Sequence, residues 1–156
     1  MSAGKVLSIL GGIIVLLSTY LLTFYSLGST YGYGIAAWVN LTDLFTAVAP
    51  WYVYIAAVLI VLFLLSGFFL LIGAGKRGLA IFGGIFALLG GIYLLITILF
   101  NILPLEVEIY ILWFAGDAPV SGIIPFHVAI GSAGLGLYVL LGGAVLGFIG
   151  GLIPRD

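Results

Sequence analysis

Apolar residues follow one another almost without a break along four stretches of the chain: Val6–Leu27, Trp51–Gly75, Gly78–Leu103 and Val128–Ile153. No Asp, Glu, Lys, Arg or His falls inside any of them. Each exceeds the run of about 18 apolar residues that marks a transmembrane helix, at 1.5 Å per residue across a core about 30 Å thick. The pattern predicts an all-α integral membrane protein, a four-transmembrane-helix bundle, with outer loops over 28–49 and 104–126. These four runs leave no room for a separate soluble domain, so 1–156 reads as a single membrane domain.

The charges punctuate this pattern by sign. All four cations (Lys5, Lys76, Arg77 and Arg155) lie at the N-terminus, in the turn between the second and third runs, and at the C-terminus. Four of the five acids (Asp43, Glu106, Glu108 and Asp117) lie in the other two connections. Cations flanking spans stay in the cytoplasm. The expectation is a multi-pass protein of the cell membrane with both termini cytoplasmic, and "GKRG" as a tight cytoplasmic turn. Aromatics such as Tyr25, Trp38, Trp51, Tyr52 and Trp113 crowd the opposite interface, as a membrane belt would. The first run reads as a retained helix and not a signal peptide, since its apolar part exceeds the usual 7–15 residues or so.

Composition agrees. The chain is 65% hydrophobic and 6% charged, with mean hydropathy +1.46, against roughly 25% charged for a soluble domain. Cysteine is absent, which excludes disulfides, thiolate metal sites and a cysteine nucleophile.

An internal repeat runs through the apolar letters. "KVLSILGGIIVLL" (Lys5–Leu17) lies over "RGLAIFGGIFALL" (Arg77–Leu89) at an offset of 72. At an offset of 75, Trp38 meets Trp113, Pro50 meets Pro125, Gly67 meets Gly142 and Gly75 meets Gly150, with Asp43 and Asp117 one residue out of register. Repeat 1 covers about 5–75 and repeat 2 about 77–151, each a helical hairpin. Both start on the same side, so they are expected to be parallel repeats about an axis along the membrane normal.

Helices in lipid gain no hydrophobic drive from meeting one another, so small residues that permit close approach matter. Gly83, Gly84, Gly90 and Gly91 on the third run, and Gly136, Gly143, Gly147 and Gly150 on the fourth, are the expected helix-packing positions. Those seams could lie within one chain or between subunits.

In the outer loops, "LEVEIYILWF" alternates Glu106 and Glu108 with Val107 and Ile109, which argues for a short β-strand; an interfacial helix is the competitor. The loops are expected to pack as a small cap, with Trp38, Asp43, Trp113 and Asp117 as equivalent anchors. "NLT" (Asn40–Thr42) is a glycosylation sequon, which makes Asn40 a possible acceptor. Four spans, both ends inside, two outer loops and a tryptophan in the first make the chain resemble claudin-like and tetraspan membrane proteins in topology. The paired loop cysteines of those families have no counterpart here, so the resemblance carries no residue roles.

Chemistry-capable side chains are few. Ionisable groups inside spans mark ion paths and proton relays, and these spans have none. Ser18, Thr19, Thr23, Ser66, Thr97, Asn101 and Ser132 are the polar span residues, and hydroxyls of this kind usually bond to a carbonyl on their own helix. His127 with Asp43, Glu106, Glu108 and Asp117 is the best polar constellation, able in principle to hold a metal or do acid–base work, but no ligand spacing is present. No serine-nucleophile motif, phosphate loop or basic nucleic-acid patch occurs. Catalytic, cofactor-binding and metal residues are therefore none. The leading expectation is a non-enzymatic structural or assembly protein, or an accessory subunit of a larger membrane complex. Its partners would be the lipid bilayer and other membrane subunits or itself, not nucleic acid. The alternatives are a small oligomeric uncoupled channel or carrier, and a membrane enzyme using the outer carboxylates and His127.

Overall fold

The computed structural model describes residues 1–44, 47–117 and 124–155. Positions 45–46, 118–123 and 156 lie outside the described residues. Four helices are long and apolar enough to cross a membrane: α1 (Ala3–Leu21), α3 (Trp51–Ile72), α4 (Arg77–Leu95) with its π-helical extension Ile96–Phe100, and α6 (Leu135–Leu152). Helix α2 (Gly34–Leu44), the single turn α5 (Leu105–Glu108) and a 3₁₀ helix (Ile109–Phe114) belong to the connections.

The helices form a ring in which α1 packs on α3 and α6, and α4 packs on α3 and α6. Glycines set the spacing. A Cβ on Gly83 would lie 2.7 Å from Ser66 O of α3, one on Gly84 2.7 Å from Phe148 Cα of α6, and one on Gly143 2.7 Å from Ile14 of α1. Gly90 sits under the Phe63 ring, Gly91 against Leu141, and Gly136 against Leu22 and Thr23. Gly147 faces Leu70 and Gly11, and Gly150 faces Ser8. All eight packing glycines thus meet atoms of this same chain; at Gly83, Gly84, Gly136 and Gly150 the nearest atom is backbone, so a side chain there would push two segments apart, whereas at Gly91 and Gly147 it is a leucine methyl. By contrast, Gly142 on α6 is exposed and has nothing within 4 Å.

The fold is not purely helical. Five short strands, β1 (Tyr25–Leu27), β2 (Thr30–Gly32), β3 (Ala115–Gly116), β4 (Ala129–Ile130) and β5 (Ala133–Gly134), make one antiparallel sheet in the order β3-β2-β1-β5-β4. The sheet joins the α1–α3 and α4–α6 connections, and the Leu22–Phe126 bridge ties it to the end of α1. Two span boundaries are corrected by it. The first helix stops at Leu21, because Tyr25–Leu27 pairs with Thr30–Gly32. The fourth begins at Leu135, because Val128 O accepts from Leu135 N and the β4–β5 hairpin turns through Gly131 at φ +65. Ser132 is therefore in that turn, not in a span.

The expected strand in "LEVEIYILWF" is also corrected: the segment is helical. Pro104 stands at its N-cap with φ −56, and its carbonyl accepts from Val107 N and Glu108 N at 2.9 and 3.0 Å. Proline is preset for a helix start, and Glu106 and Glu108 in the first turn face the positive end of the backbone dipole. Those local terms outweigh the two-residue alternation. Beneath the cap, Phe24, Phe63 and Phe114 pack ring to ring at 5.7–6.1 Å between centroids, which docks both connections onto α3.

Candidate functional site

At the acidic end the sequence candidates separate. His127 Nδ1 lies 2.7 Å from Thr23 Oγ1, and its ring packs on Tyr31 at 4.9 Å between centroids. Its partners are thus a buried hydroxyl and an aromatic face of the sheet. Among the described residues no three His, Asp or Glu side chains stand close enough to share a metal. Asp43 is exposed on α2, Glu106 is exposed on α5, and Asp117 is exposed just past β3. A groove of about 420 Å³ beside Asp117 is lined by Tyr33, Asn40 and Gly116. Burial, and secondarily the Asp117 carboxylate, pushes the Tyr33 phenol above its ordinary value.

The two connections are tied by Asn40. Its Nδ2 donates to Trp113 O at 2.8 Å and to Ala115 O at 2.9 Å. Nδ2 is also the atom a sequon glycan would use, so attachment would displace one of these bonds. The two tryptophans sit differently. Trp38 on α2 donates Nε1 to the Tyr20 hydroxyl at 3.1 Å, while Trp113 on the 3₁₀ helix packs edge-on to Tyr110.

Within the bundle, four buried or partly buried hydroxyls close on their own helices. Ser8, Ser18, Ser66 and Thr97 donate to Gly4 O, Val15 O, Phe63 O and Tyr93 O at 2.6–2.9 Å. Thr19 Oγ1 is buried without a partner. Asn101 adopts a left-handed conformation (φ 49, ψ 42) and ends the π-helical turn.

A lateral apolar groove of about 330 Å³ runs between α3 and α4. Ala56, Leu59 and Phe63 form one wall, Leu89, Gly90 and Tyr93 the other, and Val107 and Tyr110 the roof. The roof is pinned because the Tyr93 hydroxyl donates to Val107 O at 2.9 Å.

At the opposite, cationic end, two arginines do more than mark a side. Arg77 donates Nε to Gly151 O at 3.0 Å and Nη2 to Leu152 O at 2.9 Å, which closes the last turn of α6. Arg155 reaches Gly73 O after α3, and Ser8 Oγ of α1 at 3.0 Å. Each arginine satisfies carbonyls that a helix end leaves open, where the backbone dipole is negative. Sequence reasoning missed both clamps; the use of Arg, whose rigid fork suits paired acceptors, at the two helix-end positions was the available signal.

The architecture is that of a helical protein with four apolar, membrane-length helices and a small antiparallel sheet closing one end. Compared with known proteins, the chain matches no protein-family model, no curated protein and no solved structure.

Proposed function

We propose that this chain is a non-enzymatic multi-pass membrane protein that works by association, as a structural or assembly protein or as an accessory subunit of a larger membrane complex. One observation carries the reading: the bundle interior is closed. Four of its hydroxyls bond back to their own helices, its glycines hold helix against helix, and no Asp, Glu, Lys, Arg or His lies between Val6 and Leu21, along α3, or from Gly78 to Phe100. A pump or ion-coupled carrier needs polar or ionisable groups facing a path. The surfaces left for partners are the cap and the outward helix sides, because the glycine seams are occupied from within. Positive-inside bias puts the termini and the Lys76–Arg77 turn in the cytoplasm and the sheet outside.

The same reading includes an ancestral duplication of the helical hairpins. Its support is a recurrence of contacts. Gly83 meets Ser66 and Leu70 as Gly11 meets Gly143 and Gly147; Gly84 meets Phe148 as Gly12 meets Leu71; Gly73 meets Ala80 as Gly150 meets Ser8. These pairs relate α1 to α4 by 72 residues and α3 to α6 by 77, close to the offsets of 72 and 75 seen in the letters. The caps follow no such rule: Pro50 directly precedes α3, whereas the β4–β5 hairpin separates Pro125 from α6.

Purification from the native membrane in a mild detergent, followed by mass measurement of the intact particle, tests the proposal. A stoichiometric partner or a defined homo-oligomer is expected. Conduction of small solutes across vesicles by the purified particle, as a homo-oligomer above all, would replace it with the channel reading, and a partner-free monomer would remove its support.

A further inference from the structure

We propose that the groove between α3 and α4 seats one acyl chain of a bilayer phospholipid beneath the outer cap, an inference that rests on the membrane reading above. The groove walls carry no charged side chain, and the Tyr93 hydroxyl at its upper edge is already donated to Val107 O. Whatever lies inside must therefore be apolar along its length, held by dispersion and by exclusion from water. The residues of α3 that line it, Ala56 to Phe63, fall roughly 8–18 Å from the helix end at Trp51 at 1.5 Å per residue, the depth of acyl tails and not of headgroups. Its open side is flanked by Leu59 and Leu89, 51% and 58% exposed, which continue the lipid-facing sides of the two helices.

Closure decides between a hydrocarbon chain and a partner's helix. The volume of about 330 Å³ stands at the low end of small-ligand clefts, about 300–1,000 Å³. A spanning helix laid along the groove would run into Val107 and Tyr110, whereas a flexible chain enters from the side and ends under that roof. The Phe63 ring lies against Gly90, so the floor is smooth.

The test uses the full chain, delipidated in dodecyl maltoside, titrated with palmitoyl-oleoyl phosphatidylcholine and read by native mass spectrometry. Ala56→Trp places an indole in the groove; Val58→Trp places the same ring at a site 58% exposed and outside the lining. Wild type and Val58→Trp should each hold one tight lipid, and Ala56→Trp should bind it about fivefold or more weakly, a loss near 1 kcal/mol. Leu89→Trp blocks the groove from the other wall and repeats the test if Ala56→Trp does not fold, as judged by circular dichroism. Equal lipid binding in all variants, or none by wild type, would overturn the proposal. So would a chain dimer that only the groove-blocking variants lose, which would assign the groove to a second copy. Subunit association is read separately from the particle mass, so failure of that broader reading leaves the lipid count intact.

Discussion

Gly11 and Gly147 face each other across the α1–α6 seam, and a Cβ on Gly11 would also fall 2.7 Å from Gly143 O. Backbone meets backbone for a side chain on Gly11, while a Cβ on Gly143 would meet the branched Ile14 at 2.7 Å and Val15 N at 3.0 Å, and one on Gly147 the Leu70 methyls at 2.6 Å, with more of the added side chain still to place. Gly143→Leu or Gly147→Leu should therefore destabilise the monomer itself, by about 1–3 kcal/mol or more as overpacking does. The measurement is thermal unfolding of the detergent-solubilised monomer. Gly142→Leu, one position away but exposed with nothing within 4 Å, should leave the melt unchanged. If the three variants melt alike, the seam is not what holds α6.

Asn40 predicts a division of labour within its own sequon. Asn40→Ala removes both bonds to the second connection and leaves the Trp113 and Ala115 carbonyls without their partner, at a cost of about 1–3 kcal/mol. Trp113 fluorescence should shift red and proteases should cut the cap faster. Thr42→Ala abolishes the sequon but removes only a local bond, Thr42 Oγ1 to Val39 O at 2.6 Å. It should leave the cap unchanged and lower the intact mass only by the CH2O that the substitution removes. A loss larger by the mass of a glycan would show that one does occupy Asn40.

How far these features were legible in the letters varies with their physical origin. The four helices were plain because charge-free apolar runs have one stable state in lipid, with backbone bonds made internally. Their ends were not, because Tyr25–Leu27 and Val128–Gly134 are as apolar as the spans; hydropathy does not distinguish a helical turn from a strand whose partner lies elsewhere in the chain. Alternation in "LEVEIYILWF" pointed to a strand while Pro104 pointed to a helix start, and the local cap prevailed. Gly83 and Gly143 could be marked as packing sites from their neighbours, but their partners could not. His127 looked like the centre of an acidic constellation. Its bond to Thr23, 104 positions away, is a product of the sheet register and has no local signature.

Tyr25 makes the cap sensitive to alkali. It is fully buried in β1, and its hydroxyl donates to Ile111 O at 2.6 Å. Burial, and to a lesser degree the neighbouring Tyr93, raises its folded-state pKa above the unfolded value of about 10. A raised pKa means that the folded state favours the neutral phenol. Its contribution is fully present below pH 10 or so and is lost as pH rises from there toward the folded value. Chemical unfolding in detergent should show stability falling above pH 10. Tyr25→Phe should cost about 1 kcal/mol at neutral pH through the lost bond, and should flatten that alkaline slope by one titrating group. An unchanged slope would mean that the phenolate is accommodated without opening the cap.

The topology follows from where the cations sit, and it can be read with single cysteines because the chain has none of its own. Gly75 lies in the turn before Arg77, and a Cβ there would meet only Ile72 O, at 3.6 Å. Ser29 is exposed in the turn between β1 and β2 at the acidic end. Both positions accept a cysteine without strain on the fold. Lys5, Lys76, Arg77 and Arg155 hold the Gly75 end in the cytoplasm if the positive-inside bias governs insertion, and there Arg77 ties the start of α4 to the end of α6 while Arg155 ties the chain after α6 to α3 and α1. In intact cells an impermeant maleimide should therefore label Ser29→Cys, and should reach Gly75→Cys only after permeabilisation. Labelling of both from outside would break the four-span arrangement. Labelling of Gly75→Cys alone would keep the bundle but invert it, and would move the acidic cap, the groove roof and any partner they serve to the cytoplasmic side.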